Sequence, residues 1–332
     1  GGHQTVQQAG ELFAADQARA VAGGLAARVV GEIAQPDVPG RIGLGGALPN
    51  LVNIAAESAP QKDRGKAVAI MYAGVPLGGA IASGVSMAGL HGGDWGTIFL
   101  VGGIMPLVLA PFVHFLLPPL AVVKAQVKSA GSALAQVFAP GTVMTTLALW
   151  LSFFLGLLVV YLLLNWMPQL LVSRGLERSE ASTVQILFNI GGVLGSLLGG
   201  RMLDRARPVF PVALCFAGAA AALLMLAMLP AELGLMLLGG AIVGAAILCV
   251  QAILYGIAPQ CYAFEVRGTG VGTAVAVGRF GSVAGPLLAG ALVAAGFTPS
   301  DVMVSLVPIT LAAGLSTVLL LTRRRAAAPA PA

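Results

Sequence analysis

The sequence predicts an all-α, polytopic membrane protein, and three observations carry that reading. Composition is the first: 58% of residues are hydrophobic and 9% are charged, with a mean hydropathy of +0.92, whereas a soluble domain carries about 25% charged residues. Second, apolar runs of membrane-crossing length, roughly 17–25 residues each, recur along the chain. Third, 45 glycines and 20 prolines lie among those runs, which tightly packed and broken transmembrane helices tolerate and soluble helices generally do not. The net charge of +5 then reads as a bias of the connecting loops. The partner it implies is a lipid bilayer and not nucleic acid. Cys215, Cys249 and Cys261 have no CxxC spacing, and His3, His91 and His114 are scattered, so neither a disulfide framework nor a metal cluster is expected. No cofactor is implied, and the lack of clustered His, Asp or Ser–Lys chemistry argues against an enzyme.

Taken in order, residues 1–41 come first and stand apart. They are rich in Ala, Gly and Gln, are interrupted by Glu11, Asp16, Arg19, Arg28 and Glu32, and contain no run long enough to span. At most they form an amphipathic surface helix. A short apolar run at 42–56 follows, then full spans at 66–90 and 96–117. A mixed polar connection at 118–144 leads to six more spans, 145–167, 182–200, 209–229, 233–258, 268–292 and 302–322, and a basic tail at 323–332. That gives about nine transmembrane helices, arranged as three plus six. Lys62, Arg64 and Lys66, then Lys124 and Lys128, then Arg201, Arg205 and Arg207, then Arg267, and last Arg323, Arg324 and Arg325 fall in alternate connections or the tail. The intervening turns "HGGDWG" (91–96), "LPAEL" (229–233) and "FTPSD" (297–301) have no Lys or Arg. By the positive-inside rule the basic connections and the C-terminus are cytoplasmic; the chain is expected to be a multi-pass protein of a bacterial-type inner (plasma) membrane. Only "SRGLERSE" (173–180) breaks the alternation.

The stretch "GTGVGTAVAVGRFGSVAGPLLAGALVAAGF" (268–297) holds one charged side chain, Arg279. A mid-helix arginine costs roughly 2.5–3.5 kcal/mol to insert, so it faces a cavity or a partner and not lipid. Of the 13 acidic residues, Glu11, Asp16, Glu32 and Asp37 lie in the N-terminal segment, and the others sit at helix ends or in connections. No acid remains at mid-membrane depth, which leaves a substrate carboxylate, held in a bidentate fork, or backbone carbonyls as the counter-group. Other polar residues come one helical turn apart and so share a face: Tyr161 with Asn165, Gln185 with Asn189, Gln251 with Tyr255, and Asn50 near Asn53. Each pair alone is as well explained by hydrogen bonding between helices. Together with Arg279 they compose a candidate carboxylate site: Arg for the carboxylate, Asn and Gln for a hydroxyl, and Tyr161 with Trp166 or Phe188 for an apolar face. Gly191, Gly195 and Gly199, at four-residue spacing, read as a close-packing stripe. "GTGVG" (268–272) follows no strand, so it is no nucleotide fingerprint.

The loop "GGRMLDRARP" (199–208) combines small residues, an acid and arginines between two spans. It resembles the loop signature of the major facilitator superfamily in its second-half copy, between helices eight and nine. "GLGGALPNLVNIAAESAP" (43–60), "RGKAVAIMYAGVPLGGA" (64–80), "FLVGGIMPLVL" (99–109), "LLVVYLLLNWMPQLL" (157–171) and "VRGTGVGTAVAVGRFGSVAGPLLAG" (266–290) are similar to the aromatic acid/proton symporters of that superfamily, in the hydroxyphenylpropionate branch. The likeness runs from about Ile42 to the C-terminus. It implies helices four to six at 42–117, a central cytoplasmic loop at 118–144, and a six-helix half, helices seven to twelve, at 145–322. Helices one to three are then missing, and with no initiator Met the chain reads as a fragment in which residues 1–41 come from a frameshift or a mis-joined gene. The resemblance also implies import of a small aromatic carboxylate together with protons by alternating access. Arg279 matches a helix-eleven Arg implicated in aromatic-acid uptake. The expected proton-carrying acid lies in helix one, so this chain alone is expected not to transport. Asp204, Arg205, Glu57, Arg64 and Arg267 read as gate residues whose contacts form in one conformation and break in another. An efflux transporter of another substrate class and a non-transporting membrane remnant remain the competing readings.

Overall fold

The computed structural model describes residues 38–92, 130–205 and 208–327, with isolated positions between 100 and 111. The readings of residues 1–37, of most of the span at 96–117, of His114 and of residues 118–129 lie outside the described residues. All the regular elements within them are helical. We number the α-helices α1 (Val38–Glu57), α2 (Arg64–Gly92), α3 (Ala130–Val137), α4 (Val143–Val172), α5 (Arg178–Leu203), α6 (Val209–Met228), α7 (Leu233–Ile257), α8 (Phe264–Ala294) and α9 (Pro299–Ala327).

Seven of these, α2 and α4 to α9, are long and apolar enough to cross a membrane. Each coincides with one of the apolar runs read from the sequence: α6 and α7 match theirs to within a residue, α2 adds two residues at each end, and α4, α5, α8 and α9 run on by about a turn at one end or both, where charged and polar flanks complete the helix. Pro49, Pro76, Pro168, Pro286 and Pro308 all lie inside helices, as transmembrane packing allows. α1 begins at Val38, a few residues before the boundary expected at 42, with Pro39 in its first turn, where a missing N–H costs nothing.

The stretch 118–144 is not loop throughout. Residues 130–137 form α3, which packs on α8 through the fully buried Val137. Thr146 Oγ1 donates to the Val137 carbonyl at 2.9 Å, and the Tyr262 hydroxyl donates to Thr146 Oγ1 at 3.2 Å. This stitches α3, α4 and the α7–α8 turn together. Burial pushes the Tyr262 hydroxyl up to about 12, against the lowering effect of the Thr146 bond.

The tightest packing joins α5 to α7 and α8 to α4. A Cβ on Gly191, Gly195 or Gly199 would run into backbone atoms of Ala241, Ala245 and Cys249, so the four-residue stripe lets two helix backbones touch. Gly281 and Gly285 do the same for α8 against the backbone of Phe154 and Leu158. The exception in "SRGLERSE" has a local cause. Arg174 donates from Nη1 to the Leu226 carbonyl at 2.9 Å and from Nη2 to the Leu229 carbonyl, neutralising the carbonyl end of α6. Glu180 accepts the Glu177 N–H at 2.8 Å at the start of α5. These charges are spent on helix ends.

Candidate functional site

Arg279 lies midway along α8 and its side chain is exposed, not packed into the bundle. Its Nη1 donates to the Tyr161 hydroxyl of α4 at 2.7 Å. The register that brings them together is set by Gly278, whose hypothetical Cβ would stand 2.6 Å from Leu157 Cδ1, and by the Gly281 and Gly285 contacts one and two turns on. Among the described residues the guanidinium makes no ion pair. Its one neutral partner leaves most of its five N–H donors free for a planar anion.

Beside this pair sits an aromatic group that sequence reasoning only half anticipated. The Tyr72 and Tyr255 rings stack with centroids 4.9 Å apart and planes at 28°, and Phe153 meets Tyr255 edge-on at 5.1 Å. Tyr72 and Tyr255 lie within electrostatic reach of both Arg279 and Tyr161. Tyr255 was expected at the site; Tyr72 and Phe153 were not. The available signal was scarcity: the chain has 4 tyrosines, and three of them converge here from α2, α4 and α7.

The remaining expected site residues go elsewhere. Asn165 is exposed, with Nδ2 donating to the Tyr161 carbonyl at 2.7 Å. Asn189 is buried, donates to the Gln185 carbonyl at 2.9 Å, and lies against Gly79 of α2. Gln185 Oε1 is buried without a partner, as are both side-chain polar atoms of Gln251. Gln251 is fully buried beside a small cavity lined by Gly156, Phe216, Ile247, Val250 and Thr310. Phe188 is fully buried with its backbone against Gly244, and Trp166 lies beside Gly290. The structure thus joins Arg279, Tyr161 and Tyr255, and sets Gln185, Asn189 and Gln251 between helices.

A second cluster closes the end of the bundle that carries Lys62, Arg64, Lys66, Arg201, Arg205 and Arg267. The Asp204 carboxylate, just past α5, accepts the backbone N–H groups of Gly65 and Lys66 at 2.8 Å each. It occupies the N-terminus of α2, where unpaired N–H groups and the helix dipole favour an anion. Small residues permit the approach: a Cβ on Gly65 would stand 2.6 Å from Asp204 Oδ1, and one on Gly200 would stand 2.8 Å from the Gly65 carbonyl. The partners of Asp204 here are backbone amides and not an arginine. Arg267, at the start of α8, pairs with Glu57 at the end of α1 at 3.3 Å, with side-chain exposures of 14% and 44%. Arg64 Nε is buried without a partner and Arg205 is exposed.

This is a polytopic helical membrane protein with a lone arginine at mid-span and a contact network joining α1 and α2 to the six-helix set α4–α9. The pattern described as Major Facilitator Superfamily matches residues 39–260 and again 149–332. The chain is 44% identical over 283 residues to the 3-(3-hydroxy-phenyl)propionate transporter of Escherichia coli, covering 85% of this chain and 70% of that protein. It is 34% identical over 285 residues to the gallate transporter of Pseudomonas putida, covering 77% and 64%, and 28% identical over 325 residues to the benzoate transport protein of Acinetobacter baylyi, covering 87% and 68%. The chain therefore belongs to the major facilitator superfamily and is not an enzyme. It spans about two thirds of the length of these relatives.

Proposed function

We propose that these helices belong to a proton-coupled importer of aromatic carboxylates that works by alternating access, with its basic end and C-terminus in the cytoplasm of a bacterial cell. Helices α1 and α2 act as part of one half and α4–α9 as the other. The observation that carries this reading is Arg279, a mid-span guanidinium whose partner among the described residues is a neutral hydroxyl. A substrate carboxylate supplies the missing charge, bound by Arg279 and the Tyr161 hydroxyl, while the Tyr72–Tyr255–Phe153 group is buried beside them and meets the ring only when the helices part. The three relatives described above, transporters of hydroxyphenylpropionate, gallate and benzoate, point the same way.

The arm of the acid matters. Phe153 and Tyr161 are eight residues apart on α4, about 12 Å along its axis; a phenylpropionate does not span that distance, but its two extra methylenes carry the ring further from the carboxylate than in a benzoate and so nearer the aromatic group. Titration calorimetry of the purified chain with 3-(3-hydroxyphenyl)propionate tests the proposal. Binding is expected to be at least tenfold tighter than for benzoate, lost in Arg279→Ala and weakened in Arg279→Lys, which cannot form the fork. Unchanged binding in Arg279→Ala sinks it.

A further inference from the structure

Near the basic end of the bundle, away from Arg279, the sulfur of Cys215 lies against sulfur atoms of two other helices. The Cys215 Sγ of α6 lies 3.1 Å from the Met202 Sδ of α5 and 3.7 Å from the Cys249 Sγ of α7. Cys249 is buried against Gly199, whose hypothetical Cβ would stand 3.3 Å from its sulfur, while Cys215 and Met202 are half-buried. Both cysteines are free thiols. Nothing in the carboxylate site or the gate uses them.

We propose that Met202, Cys215 and Cys249 form a binding site for a soft monovalent metal ion of the copper(I) or silver(I) kind. Thiolate and thioether donors select such ions over harder divalent ones. A trigonal ion with metal–sulfur bonds of about 2.3 Å separates its sulfurs by roughly 4.0 Å. The Cys215–Cys249 spacing of 3.7 Å already matches, and the thioether needs to open by less than an ångström from its 3.1 Å contact. Met adapts to that at little cost, being unbranched with freely rotating bonds. Binding balances without any oxidant: the metal ion displaces one proton from each thiol, two protons leave, and the bis-thiolate complex carries a net charge of −1. Arg205 lies within electrostatic reach of Cys215 and offsets that charge. Met202 stands near the exposed end of α5, so the ion enters from the aqueous face beside Asp204. Occupancy ties α5, α6 and α7 together at the root of the gate.

The test is capture of copper(I) from its bicinchoninate complex by the detergent-purified full chain under anaerobic conditions, with X-ray absorption of the bound metal. One equivalent is expected in the unaltered chain and in Cys261→Ser, with an all-sulfur shell of three neighbours. Cys215→Ser/Cys249→Ser is expected to lose capture. Met202→Leu, which preserves apolar packing, is expected to weaken it about tenfold and to reduce the shell to two sulfurs. No capture by the unaltered chain, equal capture by the double variant, or a three-sulfur shell persisting in Met202→Leu each overturns the proposal. Should the double variant fail to fold, the Met202→Leu shell decides.

Discussion

Removing the Asp204 carboxylate is expected to open the start of α2 without unfolding the bundle. Two N–H groups, those of Gly65 and Lys66, donate to the two oxygens of one carboxylate at 2.8 Å each. A hydrogen bond to a charged group contributes about 1.5–3 kcal/mol. The Gly65 bond is half-buried and the Lys66 bond exposed, so water recovers part of the loss and the pair together is worth about 2–3 kcal/mol. At tenfold per 1.4 kcal/mol, Asp204→Ala should speed amide hydrogen exchange at Gly65 and Lys66 by about 30- to 140-fold. Asp204→Asn retains one acceptor oxygen and should give about 5- to 12-fold. Exchange measured by mass spectrometry on peptides covering residues 60–72 reads this directly, and amides in the middle of α7 serve as the internal reference. Exchange at the two amides that is unchanged in Asp204→Ala, with α7 equally protected, would refute the claim that this carboxylate holds α2 to α5.

Three further outcomes follow from the packing. Arg174→Gln should lower the stability of the bundle by about 1 kcal/mol, because a cation on the carbonyl end of a helix is worth roughly that much; thermal unfolding in detergent checks it, and the contacts with Leu226 and Leu229 make α6 the first element to loosen. Gly195→Ala puts a methyl group against the backbone of Ala245, which should cost about 1–3 kcal/mol as overpacking and lower the Tm, whereas Gly218→Ala, which meets nothing, should not. The Tyr262 hydroxyl is neutral in the fold up to about pH 12 but ionises near pH 10 when unfolded. Its contribution is therefore complete below pH 10 and fades as pH rises from 10 to 12; Tyr262→Phe should flatten the fall in stability across that window.

The membrane-spanning class and the positions of seven spans among the described residues were legible because they rest on composition and run length, which packing does not alter. The absence of an acid partner for Arg279 among the described residues was legible for a related reason: a charge in an apolar run is conspicuous, and a census of acids needs no coordinates. Helical periodicity correctly put Gln185 with Asn189 and Gln251 with Tyr255 on shared faces, but it says nothing about which neighbour a face meets. Asn189 meets Gly79 of α2, and Gln251 turns toward Gly156 of α4; those contacts depend on helix rotation set by the glycine stripes. Tyr72 escaped notice because a tyrosine with no polar residue one turn away gives no facial signal. The helix at 130–137 was masked by the lysines just before it, although Leu134, Val137 and Phe138 carry a helical spacing.

The contacts at the basic end and the buried aromatic group are linked through single stiff helices. Gly65, whose N–H is held by Asp204, and Tyr72, whose ring lies on Tyr255, are seven residues apart on α2, two turns, and so share a face about 10 Å apart. The proline of α2, Pro76, lies beyond both, so no kink separates them. Arg267 and Arg279 are likewise on one helix, α8, with Pro286 beyond both. Tilting α2 away from α5 breaks the Asp204 bonds and lifts Tyr72 off Tyr255 in the same movement, while tilting α8 separates Arg267 from Glu57 and displaces Arg279. In the alternating-access reading proposed above, helix stiffness couples the two contact layers, so that opening at Asp204 and loss of the Tyr72–Tyr255 stack occur together.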